Sequence, residues 1–169
     1  NGREETTTLT LIPMVKQHLQ IPLIAAGGIA TGKSMHAAMI LGADGVQMGT
    51  RFAMTTESSS HQNFKDTCVT AQEGDTYLTL KELAPVRLIR NKFFNEVQEA
   101  YGKCATPDDL KALLGRARAK RGMFEGDLED GELEIGQIVG LIHEIKSVSE
   151  VMNDIITDFE KSVATTFSF

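Results

Sequence analysis

The chain has 169 residues, of which 41% are hydrophobic and 24% are charged, enough for one globular core. A formal net charge of -6 and a pI near 5.2 provide no basic surface for a nucleic acid, so a small-molecule partner is expected and a DNA or RNA partner is not. No run approaches the roughly 20 apolar residues of a membrane helix, which excludes a membrane partner at this stage.

The two cysteines and the first residues indicate where the protein works. Cys68 and Cys104 lie far apart without metal-ligand spacing, and such cysteines are small buried hydrophobes more often than bridges or nucleophiles. We therefore expect a reducing cytoplasm and no metal site. The start at Asn1 has neither the basic region nor the apolar stretch of a signal peptide. It also lacks an initiator Met and enters a threonine run directly, so we expect a fragment or a processed product.

The first part of the chain predicts alternating helices and short strands, the order of parallel β/α units in an α/β protein. Apolar spacing and flanking glycines predict a helix over 9–19, a strand over 22–26 that is buried on both faces, a helix over 33–41 with Gly42 as its cap, and a strand over 45–48. Pro13 is compatible with the first helix only near its first turn.

The rest of the chain predicts a mostly helical region without repeats or low-complexity tracts. Its elements are a helix over 57–72, edge strands over 77–80 and 86–89, a helix over 91–101, a basic helix over 107–121, an acidic loop over 122–131, and apolar-periodic helices over 133–143 and 147–163.

The segment from Gly27 to Ser34 matches the phosphate loop G-x-x-x-x-G-K-[ST] and lies between a predicted strand and a helix. A nucleotide hydrolase with this loop also needs a second strand that ends in an acidic residue, to hold magnesium. The next strand ends instead at Met48-Gly49-Thr50-Arg51, which disfavours the hydrolase. Backbone amides at a helix start would still face an anion.

Two buried strands about twenty residues apart are each followed at once by glycine, at Gly27-Gly28 and at Gly49-Thr50. In (β/α)8 barrels the loops after the last two strands often form a phosphate site, because their amides converge at the C-terminal face. Glycine lets the backbone approach the phosphate oxygens. The alternative is that these glycines only serve tight β/α turns. We expect the two turns to hold the phosphate of a cofactor.

These blocks resemble the C-terminal half of nitronate monooxygenases, formerly called 2-nitropropane dioxygenases, and their close relatives, the flavin-type enoyl-acyl carrier protein reductases. The resemblance lies mainly in 21–30 and 41–52, and weaker matches continue through 57–61, 86–87 with 91–92, and 136–142. It implies the C-terminal portion of an FMN-binding TIM (β/α)8 barrel. The last β/α units would occupy 1–54, and a mostly helical segment that packs on the barrel would occupy 55–169.

The resemblance also implies a cofactor site. It assigns the FMN phosphate to Gly27, Gly28, Gly49 and Thr50, mainly through backbone amides, and places Gln137 near the flavin ring. A helix-packing role is the alternative for Gln137. Arg51 could face the phosphate, but an ion pair with a neighbouring loop is the favoured interpretation.

The resemblance implies no catalytic residue within the chain. In the family a catalytic histidine ends a Gly-Gly-His segment immediately before a stretch similar to 1–8, so the base would lie just N-terminal of Asn1. The histidines that are present lie on or next to predicted helices, where solvated, capping or other structural roles are favoured over catalysis: His18, His36, His61 and His143.

Two function classes follow. The first is an FMN-dependent oxidoreductase that acts on a small-molecule substrate. It would be a monooxygenase that oxidises nitronates or nitroalkanes with oxygen, or an enoyl reductase that uses NAD(P)H. The second class comprises a phosphate-loop hydrolase and an inert barrel fragment. A homodimer is a further possibility. Of these, nitronate monooxygenase is the favoured expectation, and the 169 residues alone are expected to be inactive.

Overall fold

The structure, a computed structural model, describes residues 6–165. Within that range the chain is α/β, with short strands separated by helices. The elements are α1 (Thr8–Lys16), β1 (Ile24–Ala26), α2 (Gly32–Ile40), β2 (Gly45–Gln47), α3 (Thr50–Ala53), α4 (Gln62–Thr70), β3 (Thr76–Thr79), β4 (Val86–Ile89), α5 (Lys92–Gly102), α6 (Pro107–Leu114), α7 (Arg118–Met123), a 3-10 helix (Gln137–Leu141) and α8 (Val148–Ala164).

The first unit consists of two parallel strands and the helices beside them. β1 and β2 pair in register, with Ala25 opposite Val46, and α1 and α2 pack on one face of the pair. Its core comprises Ile12, Ala25, Ile29, Ala38 and Ala43. The expectation that the first strand is buried on both faces is wrong for the described residues. Ile24 is 56% exposed because nothing in residues 6–165 covers that face of the two-stranded sheet.

The second unit is built around an antiparallel hairpin. β3 pairs with β4, and the segment 133–135 adds to the other edge of β4 through two backbone hydrogen bonds. One face of this sheet packs on α5 and α6, where Leu88, Phe93 and Val97 are fully buried. The opposite face packs on α4 and the 3-10 helix.

Helix α8 connects the end of the chain to the first unit by packing on α2. The contact is so close at Gly32 that an added Cβ would lie 2.1 Å from the Phe159 backbone nitrogen. The His36 Nδ1 lies 2.9 Å from the Ser162 hydroxyl, and its ring makes an edge contact with Phe159. The final helix therefore closes over the start of α2.

Helix starts and stops follow local chemistry. Thr31 and Ser34 form a capping box at the start of α2, and Asn91 caps α5. Gly42, at a φ of 111°, ends α2 with the two backbone bonds of a Schellman motif. Pro13, however, lies within α1 beyond its first turn, contrary to expectation.

Three predicted helices differ from those in the structure. The helix predicted over 57–72 begins only at Gln62, because the preceding loop is held by the buried Lys65, whose Nζ donates to the carbonyls of Thr55 and Ser58. The helix predicted over 107–121 is two helices, since the chain turns at Gly115 and Ala117, both at positive φ.

The helix predicted over 133–143 is wrong. Residues 133–135 are extended, with Leu88 opposite Glu134, and only Gln137–Leu141 is helical, as a 3-10 turn. Cross-strand pairing with β4 therefore overrides the local apolar spacing.

Among residues 6–165 no helix has the length and apolar character to cross a membrane. Cys68 is buried as predicted, and burial raises the pKa of its thiol to about 12. Cys104 is exposed, contrary to expectation, because it lies in a turn at positive φ after α5. No group of metal-ligating side chains occurs in the part of the chain that the structure describes.

Candidate cofactor phosphate site

Both glycine turns leave the same edge of the parallel sheet. Ala26 pairs with Gln47 at the end of the ladder, so the segments that begin at Gly27 and Met48 emerge side by side. Neighbouring strands lie about 4.8 Å apart, a spacing that lets one phosphate contact both turns. The geometry therefore brings together the two segments that the sequence singles out.

The first turn requires glycine for its backbone. Gly27 and Gly28 have φ values of 104° and 72°, which side-chain-bearing residues rarely adopt. An added Cβ at either position would meet only the Thr8 hydroxyl, at 3.8 and 3.9 Å respectively. That hydroxyl donates to the Gly27 carbonyl over 2.7 Å and holds the turn. The side of the turn where a Cβ would point is thus open to a ligand.

The second turn is open for a different reason. Gly49 has an ordinary φ of -83°, and no atom of the described residues lies within 4 Å of a Cβ built there. Thr50 begins α3, and its Oγ1 accepts a hydrogen bond of 3.1 Å from the Gly136 amide. The Thr50 hydroxyl proton stays available for an anionic ligand.

The contact between Thr50 and Gly136 also locates Gln137. A Cβ at Gly136 would lie 2.7 Å from the Thr50 Oγ1, so glycine allows this close approach. Gln137 follows directly, is exposed and begins the 3-10 helix. Its expected position beside the cofactor is compatible with this geometry, and its contact with the flavin ring stays a prediction.

A cleft of about 320 Å³ lies along the second turn. Its walls include Gly49 and Thr50 on one side and Arg87, Ile135 and Gly136 on the other. The sequence did not single out Arg87 or Gly136 as site residues. The one sequence signal was that both residues lie in the weaker segments of the family resemblance. The fold brings them to the turn, and no local spacing in the sequence indicates this.

The phosphate-loop match is occupied by the protein itself. Asp158 of α8 accepts a 2.8 Å hydrogen bond from the Lys33 amide, while Thr31 and Ser34 serve each other in the capping box. The backbone of α8 fills the space beside Gly32. Because a carboxylate stands where a nucleotide phosphate would bind, the hydrolase alternative does not fit the structure.

Arg51 faces a different cleft, of about 610 Å³, between the start of α2 and α8. Within residues 6–165 no carboxylate lies within 4.0 Å of its guanidinium, so the favoured ion pair with a neighbouring loop is absent there. Weak attraction by Arg51 contributes to the lowered pKa of Asp154, after the larger effect of Lys146.

The histidines occupy the structural positions that the sequence favours. His61 caps α4 by accepting a hydrogen bond from the Asn63 amide, and His36 contacts α8. His18 is exposed after α1, and His143 lies on the rim of the larger cleft. None of the four lines the cleft beside Gly49.

Two carboxyl groups, Glu132 and Glu134, have raised pKa values, and Glu134 is among the residues that line that cleft. Burial, and the nearby Glu134 carboxylate, raise the pKa of Glu132 to about 7, while Arg118 opposes the shift. Burial also raises the pKa of Glu134. Glu134 lies opposite Leu88 in the sheet, next to the cleft residue Ile135.

The site therefore consists of paired glycine turns at the carboxyl edge of parallel β/α units, the arrangement of a barrel phosphate site. A family profile described as nitronate monooxygenase matches residues 1–158. The chain belongs to the nitronate monooxygenase family.

Individual relatives agree with this assignment. The chain is 32% identical over 157 residues to a probable nitronate monooxygenase of Staphylococcus saprophyticus, covering 86% of this chain and 44% of the relative. It is 31% identical over 155 residues to a probable nitronate monooxygenase of Bacillus subtilis, covering 91% and 44% respectively.

Solved structures show the same fold. FabK from Thermotoga maritima superposes with a TM-score of 0.87 at 41% identity, covering 95% of this chain and 51% of that one. A nitroalkane oxidase from Streptomyces ansochromogenes superposes with a TM-score of 0.74 at 27% identity, covering 92% and 44%. The chain thus spans about half the length of these relatives, and its α/β fold is the expected portion of a TIM (β/α)8 barrel.

Proposed function

We propose that this chain is the phosphate-binding part of an FMN-dependent oxidoreductase, with the FMN phosphate held by Gly27, Gly28, Gly49 and Thr50. One observation carries the proposal. The two turns emerge side by side from a parallel sheet, and both leave open the space that a Cβ would fill. Family membership supports a flavin as the ligand.

The residues present fit a phosphate group. Backbone amides at the two turns and the Thr50 hydroxyl are hydrogen-bond donors, and glycine lets phosphate oxygens approach those amides closely. Gln137, which directly follows the cleft residue Gly136, is the candidate contact for the flavin ring. Bound flavin would supply the redox chemistry, while these residues would hold and orient it.

Nitronate oxidation with oxygen is the first candidate reaction, because the family profile and the curated relatives carry that name. Reduction of an enoyl thioester with NAD(P)H is the second. The resemblance of the glycine-turn segments to flavin-type enoyl-acyl carrier protein reductases supports it, beside the 41% identity to FabK. The family's catalytic histidine ends a Gly-Gly-His segment immediately before a stretch similar to residues 1–8, so we propose that the catalytic base lies N-terminal of Asn1.

The proposal also covers the organisation, location and assembly of the protein. Residues 1–54 would be the last β/α units of the barrel, and residues 55–169 a segment that packs on them. The protein would work in the cytoplasm, with a homodimer as its possible assembly. The 169 residues alone would bind the phosphate but turn over no substrate, since loss of a general base costs on the order of 10²–10⁴ in rate.

The test begins with the absorption spectrum of the purified full-length protein, followed by identification of the released flavin. Stoichiometric FMN is the expected result, and a protein that neither retains nor rebinds flavin would refute the proposal. Turnover is then compared for a nitroalkane nitronate with oxygen and for an enoyl thioester with NADH or NADPH. Activity of the 169-residue chain alone at the full-length rate would contradict the placement of the base.

A further inference from the structure

The cleft beside Gly49 and Thr50 contains a cation that the proposed phosphate site does not yet use. Backbone amides and one hydroxyl are neutral donors, whereas an FMN phosphate carries a charge between -1 and -2 near pH 7. Among the described residues that line the cleft, Arg87 is the one cation and Glu134 the one carboxylate. The two basic residues nearest the glycine turns in sequence lie elsewhere, because Lys33 approaches Asp158 and Arg51 lines the cleft against α8.

The position of Arg87 follows from strand alternation. Arg87 lies on β4 opposite residue 135, and the Ile135 amide donates to the Arg87 carbonyl over 3.0 Å. Both side chains therefore lie on the face of the sheet that carries the cleft. Glu134 also lines the cleft, but within residues 6–165 its carboxylate makes no ion pair with the Arg87 guanidinium.

The guanidinium of Arg87 is anchored at one nitrogen only. Its Nη1 donates 2.8 Å to the Thr76 carbonyl and lies 3.4 Å from the Thr76 hydroxyl. Across residues 6–165 no carboxylate lies within 4.0 Å of it, and no aromatic ring stacks on it. A half-buried arginine without a counter-ion, held by one bond, retains donors at Nε and Nη2 for an anion.

We propose that Arg87 is the countercharge of the cofactor phosphate, so that the post-barrel segment completes a site begun by the two glycine turns. The inference rests on the proposed function, because it takes the phosphate at Gly49 and Thr50 as given. Charge-assisted hydrogen bonds from arginine to phosphate are stronger than those from neutral donors. Arg87 thereby selects a phosphorylated flavin over the same flavin without phosphate.

The experiment compares FMN with riboflavin, which differs from FMN only by the phosphate. Dissociation constants are measured by flavin fluorescence on the flavin-free full-length protein and on Arg87→Gln and Arg87→Lys. Arg90→Gln is the matched control. It removes the same charge nearby, but Arg90 lies outside the cleft and donates to the Tyr77 hydroxyl.

We expect Arg87→Gln to weaken FMN binding about 10- to 100-fold and riboflavin binding less than about twofold. Arg87→Lys should lie between wild type and Arg87→Gln, because it keeps the charge without the planar fork of donors. The FMN loss should shrink as salt is added. Arg90→Gln should change neither constant by more than about twofold.

Three outcomes would overturn the inference. Unchanged FMN affinity in Arg87→Gln and Arg87→Lys would exclude a phosphate contact. Equal losses for FMN and riboflavin would show that Arg87 only supports the fold. Wild-type protein that binds neither flavin would refute the proposed function itself, which separates that failure from the first two.

Discussion

The two glycine-rich segments of the first unit differ in what fills the space beside them. At Gly32 the backbone of α8 occupies the position of a Cβ, whereas at Gly49 nothing in residues 6–165 lies within 4 Å of that position. The first segment matches a nucleotide-binding motif and the second does not, yet the second is the open one. A glycine motif indicates that another group approaches the backbone closely, and only the packing shows whether that group belongs to the protein or to a ligand.

The largest expected effect comes from Gly32→Ala, at the glycine that the backbone of α8 encloses. The new Cβ would lie 2.1 Å from the Phe159 nitrogen and 2.2 Å from the Ile155 carbonyl oxygen, both backbone atoms that cannot rotate away. We expect a loss of about 3 kcal/mol or more in the free energy of unfolding, measured with urea.

The matched change Gly102→Ala adds the same methyl to a helix where no atom lies within 4 Å. It should be neutral or stabilising by up to about 1 kcal/mol, since alanine favours helix. Equal stability of the two variants would show that α8 does not pack on α2 as described.

Two charged side chains differ in the same way, because Glu132 is buried whereas Arg87 lines an open cleft. Burial raises the pKa of Glu132 from an ordinary 4.5 to about 7 in the folded protein, so folding favours its protonated form. Stability should therefore be undiminished below about pH 4.5, fall between pH 4.5 and 7, and remain reduced above pH 7.

Glu132→Gln should remove that penalty. We expect the variant to gain on the order of 2 kcal/mol at pH 8 and almost nothing at pH 4.5, measured by urea unfolding across this range. Glu160→Gln, an exposed change on α8, should show no such pH-dependent gain. A gain that is the same at both pH values would refute the burial of a charged Glu132.

A smaller effect is expected for Thr31→Ala, which removes the capping box at the start of α2. In this protein the motif residues Thr31 and Ser34 form that box and do not bind a phosphate. Thr31 Oγ1 accepts from the Ser34 amide over 3.1 Å. Loss of this cap should cost about 1 kcal/mol in unfolding free energy and leave flavin content unchanged. Loss of flavin without loss of stability would show that this helix start binds the cofactor after all.

The first unit was predictable from the sequence because its signals are local. The apolar runs that end at Ala26 and Gln47 are bounded by glycine, and Gly42 ends α2 where the sequence places it. The two turns could be paired in advance because parallel strands end at the same edge of a sheet.

The rest depends on contacts between residues distant in sequence. The apolar positions Leu133, Ile135, Val139 and Ile142 suit a helix, but pairing with β4 makes the first two part of a sheet. Arg87 could not be assigned to the site for the same reason. Its place in the cleft depends on which face of β4 lies next to the α3 residues Thr50 and Ala53, and no local spacing in the sequence indicates that face.

The comparison of open and enclosed glycines is tested most directly by Gly49→Val in the full-length protein, with Gly102→Val as the control. Both positions have free space for the side chain, and neither has a positive φ. We expect both variants to keep their unfolding free energy within about 1 kcal/mol, while only Gly49→Val purifies without FMN. Stoichiometric FMN in folded Gly49→Val would contradict the phosphate site.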